Sequence, residues 1–297
     1  MKIHFKVFVL VLSVSLFSFN LSAKRTKKQG KSAAVKVMTD TLKSALKDTA
    51  AKKDKPVFKS VKEVADKCKK YSGLFNIYQD TTTGKTYLEI TEDKIGKEYI
   101  YFAYVLDGVV DAGYARGGFK DNAVFKIERY FDRIDFTLRN TNYYFDSTNA
   151  LSKSKDANIN QPLFYSEKIA ALTTDEKSKK KTYLIDADNL FLGENFTQIK
   201  PSKQPGERSD AFALGSLSAK KSKYLAIKNY PENTDVAVEY VYDNPAPTNE
   251  GKEEVTDARF VSVKLQHALI AVPDNTYKPR FDDPRVGYFI DKINDQT

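Results

Sequence analysis

Apolar positions along this chain keep two different rhythms. In Val61-Lys62-Glu63-Val64-Ala65 they recur at helical spacing, which predicts a short helix ending near Tyr71-Ser72-Gly73. From Leu74 the period falls to two. Leu74–Tyr78 and Thr86–Ile90, joined by the polar loop Asp80-Thr81-Thr82-Thr83-Gly84, predict a hairpin. Tyr99–Val105 predicts an aromatic strand turning at Asp107-Gly108, and Gly113, Gly117 and Gly118 predict a bulge or tight turn beyond it. Val124–Tyr130 and Ile134–Leu138 form another pair around Asp132-Arg133. Further strands are expected at Tyr183–Ile185, Lys223–Ile227, Val236–Tyr242 and Arg259–Ile270. Polar breaks fall at Thr173–Lys181, Pro201–Asp210 and Tyr242–Glu254. Short strands, few helices and no βαβ rhythm imply a mainly β fold with α+β character at its N-terminus. Its antiparallel sheets would form a sandwich or an open barrel.

The first residues read differently. Lys2 and Lys6 precede an apolar stretch, Val7–Phe19, and Leu21-Ser22-Ala23 offers a small-residue cleavage site before Lys24-Arg25. That order is a secretory signal peptide, too short to span a membrane, so export with cleavage near Ala23 is expected, to the periplasm, outer surface or medium. Residues 24–57 are rich in Lys, Ala, Ser and Thr and read as a flexible basic linker. No other segment is long and apolar enough to span a membrane.

Charge looks at first like a nucleic-acid signal, because the chain carries a formal net charge of +9. The distribution removes it. Between Lys24 and Lys70 stand 16 basic and 5 acidic residues, and beyond Lys70 stand 30 basic and 34 acidic ones. A slightly acidic body behind a basic tail is the reverse of a nucleic-acid-binding domain. The single cysteine, Cys68, excludes an internal disulfide. Its lysine-rich surroundings could lower its pKa, but the plainer reading is a small residue on the short helix.

Catalytic chemistry is thinly represented. Histidine occurs at His4, inside the signal peptide, and at His267. A two-histidine zinc motif is therefore excluded from the mature chain. Counting by two from Val261 through Val263 and Leu265 to Leu269 places His267 on the apolar face of its strand, as a hydrogen-bonded core histidine. Gly215-Ser216 lacks the second glycine of a nucleophile elbow, and Gly113-x-x-x-Gly117-Gly118 lacks the Lys-Ser/Thr of a phosphate loop. Among the carboxylates, Asp186, Asp188, Glu253, Glu254, Asp282 and Asp283 would serve a glycosidase only if two faced each other across a cleft. Asp186-Ala187-Asp188 lacks the glycine and distal glutamate of a calcium loop and reads as a turn or helix cap. No catalytic, cofactor-binding or metal-ligating residue is therefore assigned.

Several runs carry a resemblance: Lys70–Tyr78 (KYSGLFNIY), Arg129–Ile134 (RYFDRI), Asn229–Asp235 (NYPENTD), Tyr240–Pro247 (YVYDNPAP) and Arg280–Phe289. Together, over residues 58–297, they resemble the N-terminal part of large secreted zinc-dependent metalloproteases of Bacteroidota. The resemblance implies a small α+β domain over 58–100 and a larger β-rich domain of unknown function over 101–297. A metzincin-like catalytic domain with a His-Glu-x-x-His motif would follow. Zinc would belong to that domain, which would be this region's partner in cis, with a protein or peptide substrate beyond it. Ile290–Thr297 ends in polar sequence with no closing element, so the chain is expected to continue into such a domain. The alternative is a self-standing exported binding module for protein or glycan, suggested by the wealth of Tyr and Phe on a β scaffold.

Overall fold

Ser60 starts the helix that the pattern asks for. Its side chain accepts a hydrogen bond from the Glu63 amide while the Glu63 carboxylate accepts one from the Ser60 amide, a reciprocal capping box. The computed structural model describes residues 58–155, 157–200, 206, 212–274, 285 and 293–295. The expected signal peptide and basic linker, Pro201–Asp210 apart from Gly206, and most of Lys278–Phe289 lie outside them.

The helix α1 (Val61–Ala65) is shorter than the sequence suggests, because Cys68–Tyr71 already forms strand β1. Its lysines stay exposed, and Lys69 and Lys70 lie over the rings of Tyr71 and Tyr78 at 4.8 and 5.3 Å. Cys68 is thus a strand residue, and its thiol is raised by burial and by the charge of Asp80 rather than lowered by the lysines. β1, β2 (Ile77–Asp80) and β3 (Thr86–Thr91) form a meander in which Ile77 faces Leu88. Then follow β4 (Glu98–Asp107), β5 (Phe119–Tyr130), β6 (Arg133–Leu138), the two-residue β7 (Tyr143–Tyr144), β8 (Leu163–Thr174) and β9 (Lys181–Asp186). The rest comprises the helix α2 (Asp188–Leu192), β10 (Ser216–Leu217), β11 (Lys223–Asn229), β12 (Asn233–Asp243), β13 (Phe260–Ala271) and β14 (Asn294–Asp295).

Nearly all of these join one curled antiparallel sheet, a half-barrel, in the order β1-β2-β3-β9-β8-β6-β5-β4-β13-β12-β10, with β11 also on β12. Apart from it, β14 runs parallel to β7. The architecture is the open-barrel alternative in incomplete form. β8 escapes the period-two pattern because register shifts at each end break its alternation and Leu163 is exposed. Residue 100, where the resemblance puts a domain boundary, lies inside β4, the strand that bridges β5 and β13.

The concave side is filled by the stretch that includes α2 and the turn after it. Phe191, Phe196 and Ile199 are buried there, and Phe196 stacks on Tyr101 at 4.6 Å between ring centres. Inward residues of every long strand close around them, among them Tyr99, Phe125, Phe136, Val263 and Leu265.

Two of the quoted runs meet where the ends of the sheet curl towards each other. The Asn229 amide nitrogen donates to the carbonyls of Tyr71 (2.9 Å) and Phe75 (2.5 Å), and its oxygen accepts from the Thr234 hydroxyl at 2.6 Å. The Thr234 oxygen accepts from the Phe75 amide at 3.1 Å, and the Leu74 amide donates to the Tyr230 carbonyl at 2.6 Å. Gly73 has no alternative here, since an added Cβ would lie 2.0 Å from the Asn229 side-chain oxygen and 2.7 Å from the Tyr230 nitrogen. Asn229→Ala strips partners from two carbonyls and a hydroxyl and is expected to cost about 2–4 kcal/mol. Gly73→Ala should cost a comparable amount by forcing the same contact apart, with urea midpoints as the measurement.

Candidate functional site

His267 is the place to look for chemistry, and the structure seals it. Its residue is 2% exposed, on the inward face of β13 with Val261, Val263, Leu265 and Leu269, as the period-two count requires. Tyr101 reaches Nδ1 at 2.8 Å and Tyr240 reaches Nε2 at 2.6 Å. The Tyr240 hydroxyl also donates to the Phe191 carbonyl at 2.5 Å, which uses its only proton. The imidazole therefore carries its hydrogen on Nε2, donates it to Tyr240, and accepts at Nδ1 from Tyr101. Burial pushes its pKa down to about 3, so the ring is neutral. With both nitrogens committed and the ring walled in by Phe191, Phe196 and the two tyrosines, it pins α2 to the sheet and reaches no substrate.

Tyr242, two residues along the same face from Tyr240, continues this polar core by donating to the Glu194 carboxylate, whose oxygen also accepts from the Lys200 amide at 3.2 Å. Tyr114 donates to the Ile199 carbonyl, and Lys120 reaches that carbonyl at 3.2 Å. The segment from α2 to Lys200 is thus held to the sheet by tyrosine hydroxyls at several points. Sequence reading found His267 but not these partners. The signal for Tyr240 and Tyr242 was Tyr at alternate positions of β12, and for Tyr101 the same alternation in β4, which hydrophobic periodicity reads simply as core.

The carboxylates do not assemble into a reactive pair. Asp186 pairs with Lys85 at 2.8 Å and accepts from the Asp188 amide at 3.0 Å. Asp188 accepts from the Thr86 amide and the Tyr224 hydroxyl, both at 3.1 Å, and burial, then the neighbouring Asp186, raises its pKa. Both fasten the start of α2 to β3; Asp186 closes a turn onto Asp188, the first of the two roles expected, while the helix has Ala187 at its N-cap and no side-chain cap. An open groove of about 330 Å³ at the end of β13 gathers Asp107, Glu239, Glu254 and Asp257. Three of these are already in ion pairs, Asp107 with Arg116 and Lys264, Glu239 with Lys223, and Asp257 with Arg259. Glu253 is exposed in the loop before β13, and Asp282 and Asp283 lie outside the described residues. Among the described residues no group of three His, Cys, Asp or Glu could hold a metal. Gly113 and Gly117 hold left-handed turns at φ 83° and 79°, and Ser216 is an exposed residue of β10.

The surface offers more. The tight turn between β5 and β6 displays Tyr130 and Phe131, 55% and 75% exposed, with their rings perpendicular at 4.7 Å. Phe131 sits at φ 51°, a conformation that costs a non-glycine residue about 1–2 kcal/mol. Both neighbours hold it there. Arg129 donates from Nε to the Phe131 carbonyl at 2.9 Å while its guanidinium lies over the Tyr183 ring at 5.1 Å. Arg133 lies over Tyr130 at 4.9 Å and pairs with Asp135 at 3.0 Å. A large apolar side chain kept in a strained, water-facing position is the arrangement expected of a contact surface. Phe131→Gly is expected to leave the melting temperature within about 2 °C of the parent, because relief of strain offsets the added freedom of glycine in the unfolded chain.

Residues 118–296 match the family described as Domain of unknown function (DUF5117). The chain belongs to this family. No curated protein and no solved structure matches it. The DUF5117 match opens at Gly118, immediately before β5, so it leaves β1 to β4 outside while β4 lies between two strands that it includes. The strained Tyr130–Phe131 turn and the buried Tyr240–His267 pair both fall within the DUF5117 region. Among the described residues no helix is long and apolar enough to cross a membrane.

Proposed function

We propose that this chain is an exported, non-catalytic N-terminal region of a zinc-dependent metalloprotease of the Bacteroidota type. In this reading it supports the folding of the catalytic domain that follows it, or shapes substrate access to that domain. Zinc and the reacting groups belong to that partner, and none of the residues here is assigned to them. The observation that carries the reading is the contrast between a histidine locked into the core and a pair of aromatic rings held out into water at the Tyr130–Phe131 turn. The turn is the contact that would dock on the catalytic domain. The run Arg129–Ile134, one of those that carry the resemblance to that protease group, supplies both the rings and the arginines that set them.

The purified chain is expected to bind no stoichiometric zinc and to cleave no peptide. Offered in trans to the catalytic domain encoded downstream in its reading frame, it should bind, and a Tyr130→Ser/Phe131→Ser variant should bind at least about tenfold more weakly, as loss of a buried aromatic anchor does. One equivalent of zinc with peptide cleavage, or an affinity indifferent to both substitutions, contradicts the proposal. A stop codon directly after Thr297 would favour a self-standing binding module, with the same turn meeting a separate protein.

A further inference from the structure

The outer side of the sheet around β3 holds a buried charge that the chain does not balance. Leu88 and Ile90 point into the main core, so alternation sends Tyr87 and Glu89 to the other side. There the register sets Glu89 beside Leu184 of β9, and α1 packs Val61 and Ala65 against Tyr78, Ala171 and Leu184 as a small second core. Glu89 is drawn into this layer and is 8% exposed. The Asn76 amide donates to one of its carboxylate oxygens and the Tyr78 hydroxyl to the other, both at 2.7 Å. Burial, and then the bond to Glu89, raise the Tyr78 pKa well above the usual phenol range, so the hydroxyl keeps its proton.

Both of these donors are neutral. Asp135 makes the comparison, because it is buried to the same degree and has Arg133 at 3.0 Å. Among the described residues no cation pairs with Glu89, and Lys70 lies over the Tyr78 ring at 5.3 Å without an ion pair to the Glu89 carboxylate. A carboxylate withdrawn from water is costly unless a counter-charge joins it, and neutral hydrogen bonds offset only part of that cost.

Room for a counter-charge lies alongside. An open groove of about 440 Å³ runs between α1 and the sheet, walled by Val61, Ala65, Tyr78, Glu89, Thr173 and Thr182. Lys62 and Asp66 also border it, but both are exposed and their opposite charges cancel, so Glu89 sets its sign. Apolar walls suit an alkyl stem, and a ring beside a carboxylate suits a cationic head. Each carboxylate oxygen already accepts one hydrogen bond, which favours a compact ammonium over the two-pronged guanidinium.

We propose that this groove binds a lysine side chain presented by another polypeptide, with the ammonium on Glu89 beside the Tyr78 ring and the stem along Val61 and Ala65. The site is separate from the Tyr130–Phe131 turn and does not depend on the role given to it.

The probe is Nα-acetyl-lysine methylamide, titrated into the purified chain and followed by amide NMR. Saturable shifts at Ala65, Tyr78 and Thr182 are expected, with a Kd on the order of 1 mM for so small a ligand. The same molecule with its ε-amine acetylated should bind at least about tenfold more weakly, since the charge-assisted hydrogen bond is lost. Glu89→Gln should remove that preference. Equal binding of the two probes, shifts scattered over the acidic surface, or a preference that survives Glu89→Gln overturns the proposal. So does binding that appears only in Lys70→Met, because Lys70 is then the counter-ion that Glu89 uses. If Glu89→Gln does not fold, Ala65→Phe, which fills the groove from the α1 side, takes its place and should abolish the shifts.

Discussion

A chain that begins at Gly118, where the DUF5117 match begins, is expected not to fold. The cut removes β4, whose backbone pairs with β5 from Glu98 to Tyr104 and with β13 from Tyr99 to Asp107. Two long central strands would become bare edges, a template for aggregation. The same cut strips Phe75, Ile77, Leu88, Ile90, Tyr99, Tyr101 and Val105 from the core. At about 1.5–3 kcal/mol for each large buried side chain, that exceeds about 10 kcal/mol, against the roughly 5–15 kcal/mol by which a domain is stable. The Gly118–Thr297 fragment should therefore aggregate or show no cooperative melt by circular dichroism, while Phe58–Thr297 should melt in one transition. A cooperative melt of the shorter fragment near the parent temperature would show that the sheet is divisible at β4.

Acid should unfold the protein earlier than its carboxylates alone require, and His267 is the reason. In the unfolded chain a histidine titrates near 6.5, whereas burial holds the folded one down to about 3. Between those values the unfolded state binds a proton that the folded state refuses. The contribution of the neutral ring is complete above about pH 6.5 and is lost as pH falls towards 3, with a slope approaching about 1.4 kcal/mol per pH unit. Exposed carboxylates such as Asp257, held down to about 2 by its hydrogen bonds to Arg259, act in a lower window. Urea midpoints should thus fall steeply from pH 6.5 to 4 in the parent. In His267→Gln, whose amide can also donate towards Tyr240 and accept from Tyr101, the fall over that window should be nearly flat, from a lower starting stability at pH 7.

Much of the sheet was legible because one of its faces is buried. Wherever a strand alternates cleanly, as in β4, β12 and β13, the period of two locates it, and it put His267 on the correct face. The hairpin of β2 and β3 was equally plain, since a polar loop ending in Gly84 divides two apolar runs. Legibility failed where local pattern and long-range pairing diverge. Cys68–Tyr71 looks like the tail of a helix and becomes a strand only because Ile77–Asp80 offers it a ladder. β8 is hidden by register shifts that its neighbours impose. The place of residue 100 inside β4 was hidden for a related reason: β4 takes partners from far along the chain on both sides, and no local composition records that.

The site was harder to read than the fold. Sequence showed that histidine was scarce but not what its two nitrogens touch, because Tyr101 and Tyr240 approach from strands distant in the chain. Arg129–Ile134 was visible as a run, while its chemistry depends on the positive φ of Phe131 and on two arginines clamping it, neither of which leaves a periodic trace. The runs Lys70–Tyr78 and Asn229–Asp235 had no evident reason until the Asn229 latch joined them.

The central claim, that this chain's one core histidine is structural and out of reach, is tested most directly by histidine-selective NMR on Lys24–Thr297, which lacks His4. One Nε2–H imidazole is expected, whose ring signals stay unchanged from pH 8 down to the onset of unfolding, with a slowly exchanging ring proton. A ring that titrates between about 6 and 7 in the folded protein, with its proton exchanging freely, would place His267 in contact with solvent and return it to the list of catalytic candidates.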